Sequence, residues 1–153
     1  RRASVRAVVQ RVRSARIAVE GREIARMGEG LLALVGVGLR DDEAQARELA
    51  RRIVQLRIFP DAQGRMNRSL LEAGGALGIV SQFTLFGDAR HGRRPAFVDA
   101  APGERAEPLV AALVEAARAL GAPVVTGRFG AEMDVALVNA GPVTLLLDTE
   151  KQF

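Results

Sequence analysis

The chain predicts an α+β fold: one domain of mixed or antiparallel β-sheets, layered and barrel-like, under two main helices. Three observations carry this. The segments following Asp41-Asp42 and running from about Arg105 to Leu120 repeat apolar residues at helical spacing. Many shorter segments carry strand patterning. Gly30 to Val37 is a continuous apolar run, short enough for a central strand.

Residues 1–4 carry no apolar pattern and are read as a loose extension, with residues 5–153 forming the domain. Val5 to Val12 alternates as a first strand, with Arg11 falling on the Val9 side. A guanidinium in that position needs an acceptor, because burying a lone charge is costly. Ala15 to Val19 and Arg22 to Met27 flank Glu20-Gly21 as a hairpin. Asp41 and Asp42 offer an N-cap for a helix to about Leu56, whose stripe is Ala46, Leu49, Ala50, Ile53 and Leu56. Ile58-Phe59 forms a short strand before a turn, and Arg65 to Leu71 pairs back across it. Gly74-Gly75 leads into a strand that continues through Leu85 and Phe86 and stops at Gly87-Asp88. The second helix places Pro108 in its first turn and ends at Gly121. Val124 to Gly127, Met133 to Asn139 and Val143 to Leu147 close the fold. Three leucines in a row, Leu145 to Leu147, imply cover on both faces, from a helix layer or a second subunit.

Composition narrows the function classes. The 153 residues are 48% hydrophobic and 26% charged, ordinary for one globular domain. No apolar run approaches a membrane span and no charged-then-apolar leader precedes the first strand, so we expect a cytoplasmic protein without a membrane partner. There is no cysteine and one histidine, His91, which argues against thiol chemistry and against a metal; no cofactor is expected. The net charge of +4 suits a polyanionic partner, but all but one of the 22 basic residues are arginine, so base composition explains much of it. Arg90, Arg93 and Arg94 lie in a basic loop as either phosphate contacts or solvated charges.

The centre of the chain is Gly78 to Asp88. Ser81, Gln82 and Thr84 put three hydrogen-bonding side chains into a segment that otherwise reads as core. They either bond neighbouring backbone or present a site from a rigid strand end.

Ser81-Gln82-Phe83-Thr84-Leu85 and Asn139-Ala140-Gly141-Pro142-Val143-Thr144 together resemble the two signature motifs of the D-aminoacyl-tRNA deacylases. Val9-Gln10-Arg11-Val12, Arg57-Ile58-Phe59, Gly64-Arg65-Met66-Asn67, Arg94-Pro95-Ala96-Phe97 and residues 126–133 follow in the family's order, so the resemblance covers everything from Val5 onward. Val5 falls where the family usually starts. The resemblance implies hydrolysis of the ester joining a D-amino acid to the terminal adenosine of tRNA, by homodimers whose active sites lie at the subunit interface. It makes Gly141-Pro142, joined by a cis peptide, the chiral selector that enters the partner's pocket, with Arg11 holding it. Glycine has no side chain to exclude, so glycyl-tRNA is also expected to be cleaved.

The resemblance places Phe129 and Met133 against the terminal adenine. It favours chemistry by a positioned water, backbone donors around Phe83 and Thr84, and the ribose 2′-hydroxyl, with Ser81, Gln82, Phe83 and Thr84 as the catalytic segment. Ala140 departs from the family's usual aspartate, removing any carboxylate role there. Two other readings compete: a non-catalytic tRNA- or RNA-binding dimer, and a Ser/Thr esterase using His91 as base.

Overall fold

The computed structural model describes residues 4–152. Its backbone is organised around one long strand, β1 (Arg6–Val19). The next strands are β2 (Arg22–Met27) and β3 (Gly30–Gly36), which pair antiparallel with successive halves of β1 on the same edge. The connection β1–β2 is Glu20-Gly21, and both residues have positive φ, 52° and 76°, as a two-residue hairpin turn that matches strand twist requires. The expected first strand and the first arm of the hairpin are thus one continuous strand.

Helix α1 (Glu43–Gln55) follows, capped by Asp42, whose side chain accepts from the Gln45 amide at 3.0 Å while Gln45 Oε1 accepts from the Asp42 amide at 2.9 Å. Strands β4 (Phe59–Pro60) and β5 (Met66–Arg68) form a small hairpin. The pairing expected to reach Leu71 ends at Arg68, because Ser69 and Glu72 form a capping box and start a one-turn helix, α2 (Leu70–Ala73). Next come β6 (Ala76–Ser81), helix α3 (Gly103–Ala119), β7 (Val124–Thr126) and β8 (Asp134–Asp148). β3, β6 and β7 are parallel neighbours, and β8 lines the remaining edge of β1. β3 and β6 approach so closely that a Cβ on Gly30 would land on the Ala76 carbonyl.

The sheet is mixed and curls toward a barrel, with β2 lying against β6 and β7. One face packs Val9, Leu31, Leu77 and Ile79 against Leu49 and Ile53 of α1 and Leu113 of α3. The other encloses Val12, Ile17, Met27, Leu32 and Val80. β3 serves both layers, which is why its sequence does not alternate. Each large side chain fully buried here contributes about 1.5–3 kcal/mol.

Three further expectations need correction. α3 begins at Gly103, so Pro108 lies in its second turn, where its missing N–H leaves the Glu104 carbonyl without the usual helical partner. Met133 to Asn139 and Val143 to Leu147 are halves of one strand, β8, rather than two strands joined by a turn. Ser4, assigned to the extension, is buried and donates its hydroxyl to Asp148; the rest of that extension, residues 1–3, lies outside the described residues. The leucine run is covered on one side: Leu147 is buried, whereas Leu146 is 52% exposed. Among the described residues no helix is long and apolar enough to cross a membrane.

Asp41 is the second acid of the α1 entry, and it turns inward, accepting from the Gly38 amide. Burial, with Asp148 and Asp42 adding repulsion, pushes its carboxyl from the ordinary 3.8 up to about 6. Between those values the folded state holds a proton that the unfolded chain has lost, so stability falls as pH rises through the window. Asp41→Asn removes the penalty and keeps the oxygen that Gly38 needs. We expect it to stabilise the protein by about 2 kcal/mol at pH 8 and by little below pH 4, in urea unfolding. A gain of equal size at both pH values contradicts this origin.

Candidate active site

β6 brings Ser81 to the end of the parallel ladder, opposite Val35, and the Gln82 amide makes the last ladder bond to the Val35 carbonyl at 2.7 Å. The chain then leaves the sheet. Phe83–Phe86 is a 3₁₀ turn, not the strand continuation through Leu85 and Phe86 that the sequence suggested. Two backbone bonds and one arginine fix this turn. The Leu85 amide donates to the Gln82 carbonyl at 3.3 Å and the Gly87 amide to that of Thr84 at 2.9 Å. Arg6, which sequence reasoning missed, donates from Nη1 to the Leu85 carbonyl at 3.2 Å and lies 4.4 Å from the centroid of the Phe86 ring. Its signal was the lone arginine among apolar neighbours at the start of β1.

The coiling has a chemical consequence. The amides of Phe83 and Thr84 open a helical turn and have no hydrogen-bond acceptor among the described residues. The Thr84 hydroxyl accepts from Gln82 Nε2. His91 sits exposed in its loop and makes no hydrogen bond to Ser81 or Thr84. Nearby, the Arg90 guanidinium hydrogen-bonds Asp88 at 2.8 Å and holds that carboxyl well below the usual range.

Ser81, Gln82 and Phe83 line a cavity of about 610 Å³ together with Phe129 and Met133. Phe129 and Met133 arrive on the β7–β8 connection, where Gly127 makes room for Met133: a Cβ there would come 2.5 Å from its sulfur. The floor is Val37, Val80 and Val135, and Gly103 and Ala106 of α3 close one side. An aromatic ring, a thioether and a wall of small apolar groups suit a flat heteroaromatic ligand. Among the described residues no three His, Cys, Asp or Glu side chains gather as a metal site.

Gly141 and Pro142 are elsewhere; neither lines this cavity. On β1, Gln10 pairs with Thr144 and Val12 with Asn139, so the single residue Arg11 faces the four residues 140–143 of β8. Those four bulge from the ladder with Gly141 and Pro142 exposed at the crest and joined by a cis peptide. Arg11 is half-buried beneath, donating from Nε to the Ala140 carbonyl at 3.1 Å and from Nη1 to the Ile58 carbonyl at 2.6 Å. Asn139, also missed from sequence, accepts from the Val143 amide at 2.9 Å and closes the bulge from its base. Gly141 has φ +129°, and a Cβ on it would meet Val143 Cγ2 at 2.8 Å and Arg11 Nη2 at 3.2 Å.

Comparison with known proteins agrees with the resemblance read from the motifs. The profile of the family described as D-Tyr-tRNA(Tyr) deacylase matches residues 8–148. The D-aminoacyl-tRNA deacylase of Symbiobacterium thermophilum is 56% identical over 149 residues, covering 97% of this chain and 99% of that protein. That of Roseiflexus castenholzii is 57% identical over 145 residues, covering 95% and 92%. Among solved structures, a c-Myc DNA unwinding element binding protein superposes with a TM-score of 0.88 at 36% identity, covering 93% of this chain and 97% of its own. A probable eukaryotic D-amino acid tRNA deacylase shares the fold, with a TM-score of 0.80 at 19% identity, over 95% and 99% of the two chains. The chain belongs to the D-Tyr-tRNA(Tyr) deacylase family and is an enzyme of the ester-hydrolase class.

Proposed function

We propose that this protein hydrolyses the ester of D-aminoacyl-tRNA in the cytoplasm, as a homodimer in which the Gly141-Pro142 crest of one subunit enters the cavity of the other. The observation that carries this reading is the separation of the parts. One subunit's cavity holds Ser81, Gln82, Phe83, Phe129 and Met133, while its Gly-Pro crest lines no part of that cavity and stands on a stiffened bulge. The crest is flanked on β8 by Val138 and Leu146, each 52% exposed, an apolar margin suited to a second copy.

The chemistry then follows from the cavity. Phe129 and Met133 bind the terminal adenine, which sets the ester beside the 3₁₀ turn. A water attacks the ester carbonyl, and the oxyanion that forms is met by the unengaged amides of Phe83 and Thr84. The C–O bond to the ribose breaks, and the attacking water's proton passes to the departing oxygen, helped by the adjacent 2′-hydroxyl. No side chain becomes acylated; Thr84 is engaged by Gln82, and His91 is unconnected to either hydroxyl, which disfavours the esterase reading. The partner's crest stands on the side an L side chain would occupy, so L-esters are rejected by overlap. Glycyl-tRNA has nothing to overlap and is cleaved too.

We expect purified protein to release amino acid from D-aminoacyl-tRNA and leave the L-ester intact. Binding without release points instead to an RNA-binding dimer, and equal turnover of both enantiomers contradicts chiral selection by the crest. Gly141→Ala, which forces the crest to move, should lower kcat/KM by about 100-fold in protein that is still folded by circular dichroism, with a melting temperature lowered by the strain at that position. Wild-type turnover in that variant contradicts the proposal. Arg11→Ala removes both carbonyl contacts beneath the crest; we expect the ratio of D- to L-ester hydrolysis to shrink by about tenfold, with partial recovery in Arg11→Lys. An unchanged ratio would make Arg11 a structural residue only.

A further inference from the structure

At the mouth of the cavity Phe83 is 56% exposed and Phe97 36%, unusual for aromatic rings that touch each other. Their centroids lie 5.1 Å apart at an interplanar angle of 68°. Phe97 is brought there by a closed loop, in which Asp88 and Ala96 exchange both backbone hydrogen bonds, at 2.7 and 2.9 Å. Gly87 lets it approach the turn; a Cβ at that position would come 3.2 Å from the Phe97 ring. The loop so closed carries Arg90, Arg93 and Arg94. Arg90 is neutralised by Asp88, whereas Arg93 and Arg94 are exposed and make no hydrogen bond or ion pair among the described residues.

Building on the reading that the substrate is aminoacyl-tRNA, we propose that the Phe83–Phe97 pair takes the nucleotide preceding the terminal adenosine of its single-stranded 3′ end. The base stacks on the exposed rings, and the flanking phosphates meet Arg93 and Arg94. Open aromatic faces beside unpaired guanidinium groups are the combination that holds single-stranded nucleic acid without reading its sequence. Position favours this occupant: Phe83 also lines the cavity assigned to the terminal adenosine, so the pair sits one step out along the strand. Charge favours it over a second copy of the chain. A twofold contact centred on the pair would bring two arginine-bearing loops together.

The test compares D-aminoacyl-tRNA with D-aminoacyl-adenosine, which lacks the preceding nucleotide. For Phe97→Ala we expect KM on the tRNA ester to rise about tenfold, and turnover of the adenosine ester to stay within about twofold of wild type. That retained turnover also reports correct folding, and Phe97→Leu, which keeps apolar volume without a ring face, should behave the same way. Replacing Arg93 and Arg94 by Gln should flatten the slope of log kcat/KM against log salt by about 1.4 for the tRNA ester alone, about 0.7 for each lost phosphate contact. Equal losses on both substrates would make Phe97 a prop for the turn and overturn the proposal, as would no change on either. Dissociation of Phe97→Ala to a monomer in sedimentation would assign the pair to the subunit interface instead. Wild-type protein inert on both esters sinks the deacylase reading itself, a result separable from all of these.

Discussion

The guanidinium of Arg11 joins two carbonyls that the chain would otherwise leave facing each other across a gap, those of Ala140 and Ile58. Everything distinctive about the β1–β8 edge depends on it. A ladder that runs from Arg6 to Ala18 shifts register twice, and at the first shift four residues of β8 stand opposite one of β1, where the freed backbone acceptors need a donor. Charge-assisted bonds to carbonyls contribute about 1.5–3 kcal/mol each, enough to hold an exposed bulge in one shape. Asn139 supplies the rest by accepting from Val143. The bulge is therefore stiff without being covered, which is what a wall presented to another molecule requires.

The cavity is built by the opposite device. Here the sheet ends, and a tight turn at Phe83–Phe86 leaves the Phe83 and Thr84 amides unengaged and places Phe83 on the cavity wall, with Arg6 holding the turn from β1. The same strand thus carries both positioning arginines, Arg6 and Arg11, one serving the cavity and one the crest. Whatever shifts β1 shifts both. Each subunit therefore carries one crest and one cavity on the same rigid element.

Much of this was legible from residues. The unbroken apolar run of β3, the stripe of α1 beginning after Asp42, and Glu20-Gly21 each state their structure through local physics: two-sided burial, helical period and positive φ. Ser81, Gln82 and Thr84 were found through polar groups in an apolar segment, and Phe83, Phe129 and Met133 through resemblance; the cavity gathers all of these but Thr84. What could not be read was non-local. The segment through Leu85 and Phe86 reads as a continuing strand, and the ladder of β3 with β6 ends at Ser81, after which the chain coils. Gly141-Pro142 looks like a turn between two strands, and only pairing with β1 on both sides makes it a bulge within one. Arg6 is one more outward residue until the Leu85 carbonyl arrives beside it, 79 positions later.

The account stands on the claim that crest and cavity work across two subunits, and mixing two inactive variants tests it most directly. Gly141→Ala spoils the crest and leaves the cavity; Gln82→Trp blocks the cavity and leaves the crest. After subunit exchange at equal amounts, half of the dimers are mixed and each mixed dimer has one intact site. The account predicts recovery of about a quarter of wild-type hydrolysis of D-aminoacyl-tRNA. A mixture that exchanges subunits, yet stays as inactive as its two components, would contradict it.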